Sequence, residues 1–380
     1  MNTQEAIELP DSKTESYRFT PIARELARLF DLTTTAESTA PIEYQPHLLP
    51  LTGVHNLVFI NGKLTEGKSL PWVKVSDDVH TENGLDAFAK LNYSQQEETV
   101  SISIPQGTAP GVLCIYYVLT GKANVIAHPR IALSAGPDTE WLILEKAISL
   151  ANSPTFLNRQ CTVSLAPYAR LSWVQIQSDR ADSFQVNNTE FRVAEKAKFN
   201  SYTLSTSGAM IRNNLSVRIV GSEAEAHLFG LYALSGKTHV DNHTVADHEQ
   251  PNALSNELYK GILADQSKAV FNGKIFVRQL AQKTNAFQSN RNIILSDAAT
   301  IHTKPQLEIW ADDVKCSHGC TAGQLDDEAM FYLRSRGISE GKAKSLLLHA
   351  FATEVFESLS HQGIRSVVDE ILEGRLNTIA

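Results

Sequence analysis

From Val100 onward, apolar and polar residues alternate. Val100, Ile102 and Ile104 take one face of a strand and their polar neighbours the other, and short runs of this kind continue for more than two hundred residues. Before Val100 the chain is mixed. In Pro21–Phe30, Ile22, Leu26 and Leu29/Phe30 recur at helical spacing behind a proline at the first turn, which predicts a short amphipathic helix. Leu57–Leu64 predicts two short strands around an Asn61-Gly62 turn.

The alternating runs carry a faint repeat: a large apolar residue, a small one, a polar turn, then small and apolar positions in alternation. Five copies begin at Leu165, Val193, Val220, Leu263 and Leu295. Their second positions are Ala166, Ala194, Gly221, Ala264 and Ser296, their fifth Ala169, Ala197, Ala224, Ser267 and Ala299, and their seventh Leu171, Phe199, Ala226, Ala269 and Ile301. The starts suggest a unit near thirty residues with one longer insertion, between Val220 and Leu263. Short strands with small residues at fixed corners suit a solenoid, in which backbone passes close to backbone. A β-sandwich is the alternative, but its turns recur every ~8–12 residues.

After Gly319 the period changes. Thr321–Gln324 reads as a capping box, with Leu325, Ala329, Tyr332 and Leu333 at helical spacing before Gly337. Ser339 begins a second helix with Ala343, Leu346, Leu347, Ala350 and Val355 on one face, and a third, shorter one starts at Ser366 and carries Val367, Val368, Ile371 and Leu372. The expected organisation is therefore an N-terminal α/β region (1–98), a β-helix core (99–320) and a C-terminal helical domain (321–380).

With 380 residues, 42% of them hydrophobic and 20% charged, the chain can bury a proper core, which excludes a disordered or collagen-like protein. A net charge of −8 with no basic block argues against nucleic acid as a partner. No apolar run approaches the ~20 residues of a membrane-spanning helix. Met1–Glu5 lacks the basic start of a signal peptide, and four cysteines in so long a chain read as cytosolic thiols, so a cytoplasmic protein is expected.

Two of those cysteines lie in Lys315-Cys-Ser-His-Gly-Cys320, the densest group of soft ligands in the chain. Thiolate and imidazole bind zinc, copper(I) or iron–sulfur clusters. On a strand, Cys316, His318 and Cys320 share a face but stand ~7 Å apart, too far to hold one metal unless the backbone bends, for which Gly319 is placed. A plain structural strand remains the alternative. His239, Asp241 and His243 would likewise share a strand face, either as a metal site or as polar residues on the solvated side of the solenoid. Cys114, Cys161, Leu171, Trp173 and Phe229–Tyr232 read as core packing. Gly337–Lys342 has the wrong spacing for a phosphate loop, and no nucleophile elbow or dinucleotide fingerprint is present, so ATP is not expected on this chain.

Lys304–Gly319 followed by Gly323–Ile338 resembles the SufD members of the SufB/SufD family of iron–sulfur cluster assembly proteins. Val270-Phe-Asn-Gly-Lys274, Gln282-Lys-Thr284 and Gln288-Ser-Asn-Arg-Asn292 match in order, and Glu15–Pro21 resembles the family's N-terminal motif more weakly. The resemblance implies a mainly β fold, a right-handed parallel β-helix with flanking domains. It implies a non-catalytic scaffold subunit that pairs with SufB, a paralogue, through the β-helix edge. The SufC ATPase would dock on the C-terminal helices and hydrolyse the ATP. Cys316 and His318 match the Lys-Cys-Ser-His-Gly motif, whose histidine takes part in forming a transient cluster at the SufB interface. Cys320 departs from the pattern and reads either as an extra ligand or, the favoured reading, as a small apolar substitution. A flavin in the complex and a homodimer of the isolated chain are left open, and a stand-alone metal-binding β-helix enzyme is the alternative function.

Overall fold

The alternating runs stack in parallel into a solenoid of about eight turns. The computed structural model describes residues 8–34, 43–76, 86–95 and 98–379; Met1–Glu5, read above for a targeting signal, lie outside them. The chain opens with α1 (Ile22–Leu29), β1 (His55–Ile60), β2 (Lys63–Glu66), β3 (Val73–Ser76) and α2 (Ala87–Gln95). The coils begin with β4 (Thr99–Ile104), β5 (Gly111–Leu119), β6 (Val125–Ala127), β7 (Arg130–Ala135), β8 (Glu140–Ser149), β9 (Thr155–Leu165), β10 (Arg170–Ser178), β11 (Ser183–Val193) and β12 (Lys198–Ser207). They continue with β13 (Met210–Ile219), β14 (Glu225–Leu234), β15 (His239–His248), β16 (Leu254–Leu263), β17 (Lys268–Val277), β18 (Thr284–Ile294), β19 (Thr300–Ile309) and β20 (Val314–Gly323). Helices α3 (Asp327–Ser335), α4 (Glu340–Thr353) and α5 (Gln362–Ile379) follow.

Each coil contributes one strand to each of two sheets. The first runs β2-β1-β5-β8 and then through the even strands to β20; the second runs from β19 down the odd strands to β7, then β4 and β3. The expected Asn61-Gly62 turn joins β1 to β2, with both residues at positive φ (50° and 92°). Strand alternation divides side chains between a lumen and two outer faces. Val100, Ile102, Ile104, Leu171, Phe199 and Phe271 fill the lumen. Much of both outer faces is covered as well, so some strands, such as Gly111–Leu119, carry apolar residues at outward as well as inward positions. Tyr17, Ile22, Leu26 and Phe30, in and around α1, cover the second sheet over Phe156, Phe184 and Met210. Leu348, Ala352, Phe356, Val368 and Leu372 cover the first over Tyr202, Leu204 and Leu231, each Leu, Val or Phe side chain worth ~1.5–3 kcal/mol of burial.

The sequence repeat is a corner motif. The fifth-position N–H closes a turn onto the second-position carbonyl, as in Ala169 to Ala166 (3.1 Å), Ala197 to Ala194 (3.2 Å) and Ser267 to Ala264 (3.2 Å). A left-handed residue sits between them: Tyr168, Lys196, Glu223 or Asp265. Successive corners then bond to one another, Tyr168 N–H to Glu195 carbonyl and Lys196 N–H to Ser222 carbonyl, both at 3.0 Å. Gly221 lies so close to the Glu195 backbone that a Cβ would overlap it.

The longer insertion expected between Val220 and Leu263 does not exist. Leu165, Val193 and Val220 lie at corners leading from the second sheet to the first, Leu263 and Leu295 at corners leading back. The step between the two sets is one coil and a half. Sequence similarity merged them because both corners need the same small residues.

Three expectations for the helical tail also change. Thr321 is still in β20, and the cap of α3 is Asp326, whose carboxylate accepts from the N–H groups of Glu328 and Ala329. In α4 the buried positions are Ala343, Leu348 and Ala352, while Leu346 and Ala350 are exposed, because the helix lies over the sheet with a face one position round from the expected one. The third helix is the longest, since Ile364, Leu376 and Ile379 extend its buried stripe at both ends. No described helix is long and apolar enough to cross a membrane.

Candidate functional site

Strand β20 carries Cys316, His318 and Cys320 and is the last of its sheet. It pairs with β18 in unbroken register from Thr284↔Val314 to Ile293↔Gly323, so Gly319 introduces no bend. The three side chains therefore point the same way, as expected, but stay at strand spacing and do not converge. Among the described residues no group of three His, Cys, Asp or Glu side chains could hold a metal ion.

Their direction is decided by the column beneath. Ala286, Gln288 and Asn290 stand below Cys316, His318 and Cys320 and are buried, as are Ser255, Glu257 and Tyr259 one coil further down. All face the lumen, and the triplet faces it too, exposed only because no further coil closes the solenoid there. Cys316 is the inner member, half-buried against Ala286 and Leu307; burial pushes its thiol above the usual cysteine range, against a hydrogen bond with the Ala286 backbone. His318 and Cys320 are exposed. Cys320 consequently fills no apolar space, which overturns its reading as a small apolar substitution.

Sequence reasoning missed the polar column itself. Gln288 Nε2 donates to Glu257 Oε2 at 2.6 Å, and burial raises the Glu257 carboxyl to about 7 against the hydrogen bonds of Thr244 and Gln288. Glu257 looks like an ordinary surface glutamate in the sequence; only the alternation Ser255-x-Glu257-x-Tyr259-x-Gly261 marked it as inward.

The His239–Asp241–His243 set is neither metal site nor solvated face. Asp241 is fully buried beneath the N-terminal segment, where Thr20 Oγ1 and Arg212 Nη1 both donate to Oδ2 at 2.5 Å and His243 Nε2 lies 3.0 Å from Oδ1. Burial alone would raise its carboxyl; the Arg212 and His243 charges hold it well below the usual range. His239 is buried against Thr20, at 3.3 Å, and burial lowers its imidazole to about 4. Cys114 and Cys161 are core residues as expected, both fully buried, with burial raising the Cys114 thiol to about 11.

The class of protein is a parallel β-solenoid with soft side chains on an open terminal coil. Comparison with known proteins gives the kind: residues 117–351 match the family model of the SUF system FeS cluster assembly SufBD core domain. The iron-sulfur cluster assembly protein SufD of Escherichia coli is 32% identical over 95% of this chain and 88% of its own length. SufBD family proteins of Synechocystis and Mycobacterium bovis are each 27% identical, over 93% and 98% of the chain. The chain belongs to the SufBD family and is a SufD-type iron–sulfur cluster assembly protein.

Proposed function

We propose that this chain is the scaffold subunit of a SufB–SufC–SufD complex and that it offers His318, with Cys316 behind it, to a nascent cluster at the boundary with a SufB-like paralogue. The observation that carries the reading is the position of His318: lumen-facing, exposed, and on the edge strand of an open coil. The edges β19 and β20 leave a row of backbone donors and acceptors unpaired, the usual template for adding a partner's strands. A partner seated there would bring its own ligands within reach of His318, where the described residues of this chain gather no set of three. Between the two, the exposed imidazole is the readier ligand, since the Cys316 thiol must first lose a proton that burial favours. The cluster is cargo in this reading, built and released, and a flavin would belong to the assembled complex.

The helical tail supports a second contact. Phe331 and Tyr332 on α3 and Leu346 on α4 stay exposed (75%, 58% and 45%) while α4 buries Ala343, Leu348 and Ala352 on another face, which suits docking of the SufC ATPase, the subunit that would bind ATP. The isolated chain can pair with itself through the same edges. Free, unpaired cysteines agree with a cytoplasmic protein.

The test is His318→Ala in cells that depend on this system. The complex should still purify with both partners while maturation of iron–sulfur clients falls at least tenfold; normal maturation would overturn the role of His318.

A further inference from the structure

We infer that Gln288 is a positioning residue for His318: its amide oxygen accepts the ring N–H of His318 and so sets which ring nitrogen is free to ligate. The inference rests on His318 acting as proposed above. It comes from the lumen column Glu257–Gln288–His318, whose members are direct partners on the parallel strands β16, β18 and β20.

Gln288 is 3% exposed, and its two amide ends are in different states. Nε2 is committed to Glu257 Oε2 at 2.6 Å. Oε1 is buried and has no hydrogen-bond partner. An unpaired buried carbonyl is costly to keep, so its retention asks for a partner that arrives later. With Nε2 held on the Glu257 side, Oε1 is the end left for the β20 side, where the next lumen-facing residue is His318. The space for this amide is built in. Gly273 on β17 lies across the lumen, and a Cβ there would overlap Gln288 Nε2 and Cδ. Both residues lie within the stretches Val270–Lys274 and Gln288–Asn292 singled out in the sequence, and here they meet.

The chemistry follows from how imidazole ligates. A histidine that binds a metal donates its other ring N–H to a carboxylate or carbonyl, which fixes the tautomer and raises ligand basicity. Gln288 Oε1 is such a carbonyl, and Glu257 holds the amide so that oxygen rather than nitrogen is presented. When a partner covers the open coil and draws the exposed ring over the lumen, the bond closes between residues that are already cross-strand partners.

The experiment uses the full chain with 15N-labelled histidine, alone and bound to a SufB-type subunit, and reads the tautomer of the His318 ring from its nitrogen signals by NMR. Gln288→Met keeps the size of the side chain and removes the acceptor; it should shift the ring-nitrogen signals, with client maturation reduced about fivefold or more and the complex intact. Gln288→Glu, which restores an acceptor, should recover the signals, and Gly273→Ala, which displaces the amide without altering it, should reproduce the Gln288→Met change. His318 ring-nitrogen signals identical in all four proteins would overturn the inference. If His318→Ala impairs maturation while Gln288→Met leaves the ring unmoved, this inference fails and the proposed function stands; normal maturation in His318→Ala removes the function itself, and this inference with it.

Discussion

Arg212 and Asp241 face one another on adjacent strands, Nη1 to Oδ2 at 2.5 Å, and both are sealed from water by the N-terminal segment. Tyr17 stacks over the guanidinium at 4.3 Å, the Ser16 carbonyl accepts from it at 2.8 Å, and Thr20 reaches Asp241. The pair therefore ties Glu15–Pro21 to the middle of the solenoid.

Removing one partner leaves the other charge buried and alone. Arg212→Met or Asp241→Ala should cost ~3–5 kcal/mol, read as a lower denaturation midpoint together with faster proteolysis of the N-terminal segment. Asp241→Asn should cost less at low pH than at neutral pH. A carboxyl held below its unfolded pKa stabilises the fold above that value, and the contribution is lost as pH falls toward the folded one.

Glu257 has the opposite sign. Its folded carboxyl titrates near 7, above its unfolded value, so the folded state holds the extra proton and stability falls as pH rises through the interval between the two. Glu257→Gln should match the wild type in thermal unfolding at pH 4.5 and exceed it at pH 8, by on the order of 1–3 kcal/mol. Equal melting differences at both pH values would show that the carboxyl is not buried as described.

Two aromatic rings of the lumen rest on glycines. A Cβ at Gly230 would run into the Tyr259 ring, and one at Gly261 into the Tyr232 ring, the four residues being cross-strand partners in the register Gly230↔Tyr259 and Tyr232↔Gly261. Gly230→Ala or Gly261→Ala should each destabilise by ~1–3 kcal/mol through overpacking, measured by chemical denaturation. Gly341→Ala, in open space on α4, should be neutral or slightly stabilising in the same assay.

Thiol labelling should separate the four cysteines. Cys320 should react first and Cys316 more slowly, while Cys114 and Cys161 should be protected until the chain unfolds. Peptide mapping after timed alkylation checks the order, and early labelling of Cys161 would contradict a closed lumen.

Much of this architecture was legible in the residues themselves. Alternation at Val100, Ile102 and Ile104, the Asn61-Gly62 turn and the small corner residues Ala169, Ala197 and Ala224 are local signals, and each specifies its own backbone conformation. The three soft ligands on one strand face were legible for the same reason. What escaped was long-range. The corners after Val220 and Leu263 look alike in sequence, although they lie on opposite edges of the coil. The His239–His243 run resembles a solvated face because the segment that covers it, around Thr20, lies 221 residues from Asp241. The stripe of α5 reads shorter in sequence than it is, because Ile364 and Ile379 are buried by a cluster built from the first sheet and the rest of the helical tail.

The sequence by itself determined the solenoid, its corners, the helical tail and the family resemblance, since period, turn chemistry and motif are written in neighbouring residues. The tertiary structure alone decided that Cys316, His318 and Cys320 look into the lumen at its open end and that Glu257 and Gln288 stand beneath them. Stacking of successive coils chooses which face of each strand is inside, and the last coil, having nothing above it, leaves its inward residues open to a partner.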